Sequence, residues 1–486
     1  MQRFLTIRNN FILCFVSLCC LNTVSNAAAT PHDQEKTPQS FTLLQSIMAK
    51  AGPTQELPII HTMVGDVSAF RLEADIRKLV GFGTRHSLSE TDSETRGIGA
   101  ARRWIKAEFE RISDQCGQCL DVFYVSRVIE GTSRIPDPVD IVNVVAIQRG
   151  SLDPDRYVLM SGDIDSRVTD PLDGSSDSPG ANDNATGMAG VIESARVLSK
   201  HNFSGSIIYA GLSGEEQGLF GGKIVADHAL AQNWRIKAVL NNDMIGNIKG
   251  IDGVIDNTSA RVFSEGTRAV ETPEEAKIRR YSGGEVDSPS RNLARFIDRQ
   301  ADKYIPNLDV MMVYRLDRFG RGGHHRPFNA VGIPGVRIME THEHYDRQHQ
   351  NLRTEKDRVF GDVIEGVNFD YVRKLTALNI ASLAELAYAP PFPAHVELKG
   401  AVSASTTISW KKPEDKTALN IAGYRVYWRL TDQSQWTYSR FVGDVETYVF
   451  ENIVIDNYYF GVSSVAKNGA ESPVVFPGPM GSFGGY

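Results

Sequence analysis

Apolar positions change their period several times along this chain, and the changes divide it. From Ala69 they recur at helical spacing up to Gly81-Phe-Gly-Thr-Arg-His, and Gly97 to Ile112 reads as an amphipathic helix with Trp104 and Phe109 available for packing. Tyr157-Val-Leu-Met-Ser-Gly, Gly205-Ser-Ile-Ile-Tyr-Ala-Gly-Leu and Ile236-Lys-Ala-Val-Leu-Asn-Asn are short apolar runs of the kind that form buried strands. Between the first two, Val191, Ile192, Ala195 and Leu198 return to helical spacing, and a closing helix is expected from Tyr371 to Tyr388. Strands alternating with helices predict an α/β domain over residues 69–388. The stretch from Gly246 to Tyr304 is long, charged and glycine-containing, and reads as an inserted lid or specificity element.

At Ala389-Pro-Pro-Phe-Pro the pattern shifts to short β-rich runs, Thr406-Thr-Ile-Ser-Trp, Gly423-Tyr-Arg-Val-Tyr-Trp-Arg, Thr447-Tyr-Val-Phe and Tyr458-Tyr-Phe-Gly-Val-Ser-Ser-Val-Ala. Their spacing predicts a separate β-sandwich over 393–480. Trp410, Tyr424 and the late Tyr-Tyr-Phe followed by Asn-Gly-Ala-Glu-Ser-Pro resemble a fibronectin type III domain, which implies a spacing or binding module for a surface or polymer. Trp428 and Trp436 are assigned to strand packing in preference to an exposed binding face.

The amino end reads as an address. Arg3 and Arg8 precede the apolar run from Phe11 to Leu21, and the small residues Ser25, Ala27, Ala28 and Ala29 follow, as in a secretory signal peptide over 1–29. The run is too short to span a bilayer, and no later segment is apolar enough to do so. Residues 30–68 are expected to form an N-terminal arm. The expected location is therefore secreted or periplasmic. Export makes Cys116-Gly-Gln-Cys119 a local disulfide rather than a redox pair. A net charge of −7 with no basic run argues against nucleic acid as a partner.

Chemistry enters where the strands end. Asp163 and Asp165 lie just past the first, Glu215 and Glu216 past the second and Asp243 past the third. Asp183 is the centre of Pro-Gly-Ala-Asn-Asp-Asn-Ala-Thr-Gly, with Gly180 before it and Gly187 after it at a loop-to-helix junction. Open sheets bind ligands at this carboxyl edge. A lone Glu-Glu pair is usually surface and a lone Asn-Asp-Asn usually a turn, but acids converging on one place repel one another unless a cation joins them. A short rigid carboxylate such as Asp183 suits a bridge between two cations roughly 3.5–4 Å apart. Histidines close the series at His324, His325, His342, His344 and His349, and spacing alone does not rank the last three. His86 reads as structural or as a pocket wall, and Arg315, Arg318 and Arg321 as either substrate-carboxylate contacts or solvated surface.

Taken together, Gly-Asp-Ile-Asp-Ser, Pro-Gly-Ala-Asn-Asp-Asn-Ala-Thr-Gly, Gly-Glu-Glu-Gln-Gly, Asn-Asp-Met-Ile-Gly, His-His-Arg-Pro-Phe and Tyr-Asp-Arg-Gln-His-Gln resemble metallopeptidase family 28, the co-catalytic zinc aminopeptidases, over about residues 75–388. The resemblance implies a mixed sheet flanked by helices, two divalent metal ions and peptides or proteins as substrates, cleaved from a free amino end. Carried over by position, it makes Asp183 the bridge, with Asp163 and Asp243 completing one metal site and Glu216 and His349 the other. Glu215 falls at the general base and Asp165 at an acid that orients the first ligand; apart from the resemblance, His342 and His344 read as loop residues bordering the site, with Tyr345 a candidate donor to the developing oxyanion. The segment from His324 to Phe328 would line the pocket.

Two positions depart from the family pattern, which usually has histidine at Asp163 and an acid at His324. Aspartate still binds zinc, but an all-carboxylate site is harder and shifts preference toward Mn, Mg or Co. The alternative is that His324 supplies the missing imidazole. A carboxypeptidase or glutaminyl cyclase on the same fold, or a non-catalytic adhesion protein, are the competing readings of function.

Overall fold

The computed structural model describes residues 55–484, so the proposed signal peptide and the first part of the arm lie outside the described residues. An eight-stranded sheet organises the α/β region: β1 (Leu120–Ile129), β2 (Val139–Gln148), β3 (Asp153–Asp163), β4 (Gly205–Leu212), β5 (Arg235–Asn242), β6 (Ser259–Ser264), β7 (Asp309–Val313) and β8 (Gly335–Glu340), in the order β1-β2-β4-β3-β5-β8-β6-β7. The central strands β4, β3, β5 and β8 run parallel, while β2 and β6 pair antiparallel to their central neighbours. The mixed sheet flanked by helices agrees with expectation.

The apolar runs are continuous because both faces of the sheet are covered. Val158 and Met160 of β3 enter one core, and Tyr157 and Leu159, with the alternate direction of a strand, enter the other. The helices are α1 (Pro58–Gly65), α2 (Ala69–Val80), α3 (Gly97–Gln115), α4 (Gly187–Leu198), α5 (Phe220–Ala231), α6 (Pro273–Ser282), α7 (Pro289–Tyr304), α8 (His325–Ala330) and α9 (Phe369–Tyr388). Residues of α2, α3, α4 and α9 fill the first core, and Ile224 and Val225 of α5 with Phe328 of α8 fill the second. A disulfide joins Cys116 to Cys119 just beyond α3.

Two stretches differ from the sequence reading. The expected arm contains α1, whose Ile60 and Met63 are buried in the first core, so the packed region begins before Ala69. The expected insertion from Gly246 to Tyr304 is largely regular structure: β6 sits inside the sheet, and Leu293, Phe296, Ile297 and Ala301 of α7 belong to the core. Arg291 and Arg295 are buried in α7 and interrupt its apolar period, which gave the segment the look of a charged loop.

Beyond Ala389 lie two three-stranded sheets, β11 (Ala394–Lys399), β12 (Thr406–Lys411) and β15 (Thr447–Phe450) in one, and β14 (Tyr438–Gly443), β13 (Ile421–Leu430) and β16 (Tyr458–Ala466) in the other; a small hairpin, β9 (Arg353–Glu355) and β10 (Arg358–Phe360), precedes them. Aromatic rings pack between the sheets, with Trp410 5.2 Å from Tyr424, Trp428 5.3 Å from Phe450 and Phe450 4.8 Å from Phe460. Trp428 and Trp436 are 2% and 3% exposed, in keeping with packing.

The β-rich region is keyed into α7. Asp287, fully buried, accepts from Arg295 at 2.8 Å and from Arg429 of β13 at 2.9 and 2.7 Å. Trp436 Nε1 donates to Asn292 at 3.1 Å and Gln435 Nε2 to Asp298 at 2.8 Å. At the C-terminal end of the same helix, Leu57 N donates to Tyr304 Oη at 2.8 Å, and Leu57 shares a core with Ala466 and Ala470.

Candidate metal centre

Because β4, β3 and β5 are adjacent, parallel and in level register (Asp163 opposite Leu212, Gly162 opposite Asn242), the acids that follow them meet at one edge. Asp183 joins them from the turn before α4. Gly180 has φ +50°, and a Cβ there would come within 2.5 Å of Asp183 O, so glycine permits the close turn. Asp362 holds that turn by accepting from Asn182 N at 2.9 Å and Asp183 N at 2.6 Å. Arg85 grips the carbonyls of Leu79, Ile164, Pro179 and Gly180.

His349 completes the cluster. Its Nε2 lies 3.0 Å from Asp183 Oδ2 and 2.9 Å from Glu216 Oε1, and the donor atoms of the three residues all fall within 4.8 Å of one another. Arg167 reaches both partners, with Nε 2.7 Å from Glu216 Oε2 and Nη2 2.8 Å from His349 Nδ1. Burial works to raise the Asp183 and Glu216 pKa values, but the imidazole outweighs it and both are held below the ordinary range. His349 in turn is raised to about 9 against burial by the same two carboxylates.

The other acids crowd alongside. Asp163 Oδ1 is 2.6 Å from His324 Nδ1, and Oδ2 accepts from Asn184 Nδ2 at 2.7 Å. Asp243 Oδ2 is 2.9 Å from Arg337. Burial, with the charge of Asp183, pushes Asp163 to about 8; burial, with Asp163 and Asp183, does the same to Asp243. His324 is fully buried, lowered to about 4 by desolvation, and its Nε2 has no hydrogen-bond partner among the described residues. Glu215 is raised well above the ordinary range by burial and then by Asp243, Glu216 and Asp163. Asp165, raised to about 7 by burial and Glu216, accepts from Glu215 N at 3.3 Å, Glu216 N at 3.1 Å and Ser87 Oγ at 3.2 Å. Its hydrogen bonds therefore orient the glutamate pair, where the resemblance implied that it orients Asp163.

A cleft of about 500 Å³ opens over Asp183, Glu215, Glu216, Asp243 and His349, with Arg318 and Arg321 on its wall, both tied to Glu343 at 2.9 and 3.1 Å. His344 borders a small cavity beside Asp183, whereas His342 pairs with Asp252 at 3.0 Å and His325 with the Leu316 carbonyl at 2.7 Å. Tyr345 is 54% exposed and does not line the cleft. His86 is buried against the Pro171 carbonyl and Gln217 and does not line the cleft, in keeping with a structural role. Arg85, Arg167, Arg337 and Asp362 escaped sequence reading, since nothing local to them marks an arginine or aspartate that serves partners up to 182 residues away.

Residues 143–367, which include every one of these acids up to His349, match the model of peptidase family M28. A probable zinc metalloprotease of Leptosphaeria maculans is 42% identical over 433 residues, covering 89% of this chain and 99% of its own length. Another, of Phaeosphaeria nodorum, is 35% identical over 489 residues, with 96% and 98% covered. Among solved structures, an aminopeptidase of Legionella pneumophila aligns at 18% identity and a TM-score of 0.49 over 75% of this chain and 80% of that one. With the relatives matched across nearly their whole length, the chain belongs to peptidase family M28.

Proposed function

We propose that the protein is an exported metallo-aminopeptidase that removes residues from the free amino end of peptides, with Glu215 as general base. The observation that carries this reading is the meeting of Asp183, Glu216 and His349 donor atoms within 4.8 Å, beside a half-buried Glu215 that lines the cleft and whose carboxylate meets no donor among the described residues. The donor set fits divalent cations. His349 presents Nε2 to two carboxylates, and Asp163 and Asp243 are buried acids whose charges press on Asp183. Asp183, Glu216 and His349 would hold one ion, and Asp183, Asp163 and Asp243 a second, zinc being favoured by the mixed carboxylate–imidazole set and Mn, Mg or Co admitted at the all-carboxylate one. When bound, such ions supply the positive charge that polarises a scissile carbonyl and acidifies water.

The chain's own residues do the rest. Glu215 takes the proton of the attacking water and returns it to the leaving amine, a role that needs a carboxylate within reach yet not bound to a cation. Asp165 fixes the backbone of the Glu215–Glu216 turn, and Arg167 holds Glu216 and His349 in place. The paired C-terminal sheets are read as a fibronectin type III-like module that spaces or anchors the enzyme, and the Cys116–Cys119 disulfide favours an oxidising location. The test is metal analysis together with an aminoacyl-anilide panel. Cleavage of free but not amino-acetylated substrates, abolished by chelation and restored by zinc, is expected; cleavage of blocked peptides from the carboxyl end, or cyclisation of amino-terminal glutamine without hydrolysis, would replace the aminopeptidase reading.

A further inference from the structure

A second groove, of about 710 Å³, lies between the α/β region and the C-terminal sheets. Arg156, Arg235 and Lys237 line it from the beginnings of β3 and β5, whereas Asp163 and Asp243 follow the opposite ends of those strands. Seven residues of extended strand separate Arg156 from Asp163, roughly 23 Å. The groove is thus a different place from the catalytic cleft.

Its lining is unusual for a chain of net charge −7. Six cations, Arg156, Arg235, Lys237, Arg268, Lys411 and Lys412, face two carboxylates, Glu275 and Glu397. Part of that charge is balanced: Asp153 serves both Arg156 and Arg235, Glu275 pairs with Arg268 at 2.9 Å, and Asp444 with Lys412 at 3.4 Å. Lys237 and Lys411 have no carboxylate within ion-pair distance among the described residues; Lys237 reaches only the carbonyls of Phe483 and Gly484. Arg268 Nε is buried without a hydrogen-bond partner among the described residues. Between the cations run Phe392 and Phe483, ring centroids 4.9 Å apart, and Pro391, Pro393, Pro413 and Pro479.

We propose that this groove is an exosite for an acidic peptide segment, with its carboxylates on Lys237, Lys411 and Lys412 and its apolar side chains on Phe392 and Phe483. The volume decides against a single small anion, because it lies in the range that holds a drug-sized or several-residue ligand. The apolar floor decides against a bare polyanion, which would leave Phe392, Phe483 and four prolines uncovered. Lysines rather than bidentate arginine forks supply the unpaired charge, which suits carboxylates spaced along a chain. Because the ligand would touch both walls, binding also ties the two regions together.

The test uses the full-length protein and an amino-acetylated peptide of alternating Glu and Phe carrying a carboxyl-terminal fluorophore, followed by anisotropy at low and high salt. Saturable, salt-sensitive binding is expected, weakened about tenfold by the Lys411→Glu/Lys412→Glu pair and several-fold by Lys237→Gln. Each variant is first shown to melt like the parent, and Gln keeps a donor for the Phe483 carbonyl. A lysine-for-glutamate version of the peptide should not bind. The proposal is overturned by absence of binding at about 1 mM peptide, by variants that bind like the parent, by competition with a small aminoacyl-anilide, which would place the peptide in the catalytic cleft, or by inorganic polyphosphate binding as tightly as the peptide.

Discussion

Glu215 and Glu216 are neighbours in sequence with opposite fates: one is tied to Arg167 and His349, the other is left free beside it. That difference predicts the behaviour of Glu215→Gln. The amide keeps the shape and loses the base, so turnover should fall about 10²–10⁴-fold while bound metal, measured by atomic emission, stays at the parental level. Loss of metal would instead make Glu215 a ligand. The Asp163–His324 contact bears on the exchange of residues noted in the sequence. With Nδ1 on Asp163 and Nε2 facing no acceptor among the described residues, His324 stands behind Asp163 as its support. Asp163→Ala should therefore remove one ion per chain, and His324→Ala should weaken that ion's affinity by about 10–100-fold without abolishing it. Competitive chelator titration of the two variants separates the cases, and the reverse order would make His324 the ligand.

At the scale of elements, strand ends were readable because β3, β4 and β5 are covered on both faces and so carry uninterrupted apolar runs, with their acids immediately after. What escaped reading was short or long-range: α1 is eight residues long, too brief for a helical period to declare itself, and α7 buries Arg291 and Arg295, the latter against Ser434 far along the chain. Arg337 and Asp362, which fix Asp243 and Asp183, have no local pattern at all because their partners come together only when the sheet closes. The same helix α7 supplies a pH prediction. Burial raises Asp298 to about 6, opposed by its hydrogen bond from Gln435 and helped by Asp302 and Asp309. An acid raised in the folded state binds more protons there than when unfolded, so stability falls as pH rises from about 4 through about 6. Asp298→Asn should remove this penalty while keeping an acceptor for Gln435, lifting Tm by about 1–3 °C at pH 7.5 and by nothing at pH 4, read by scanning calorimetry.

For the whole molecule, every candidate ligand precedes Ala389, which on sequence alone makes the C-terminal sheets dispensable for chemistry. Their contacts say that they are not dispensable for stability. A chain ending at Ala389 would leave Asp287 with Arg295 alone and strip Trp436 from Asn292, and breaking a buried ion pair costs about 3–5 kcal/mol. Such a truncation should melt well below the full chain yet hydrolyse small anilides at a similar rate per folded molecule; an equal Tm would mean the junction carries no energy. Leu57 and the β-rich region both close on α7, and Leu57 shares its core with Ala466 and Ala470. The described chain is thus mechanically a closed ring, and neither region opens without loosening the other. Two architectures should then behave as one thermodynamic unit, unfolding in a single transition whose calorimetric and van't Hoff enthalpies agree.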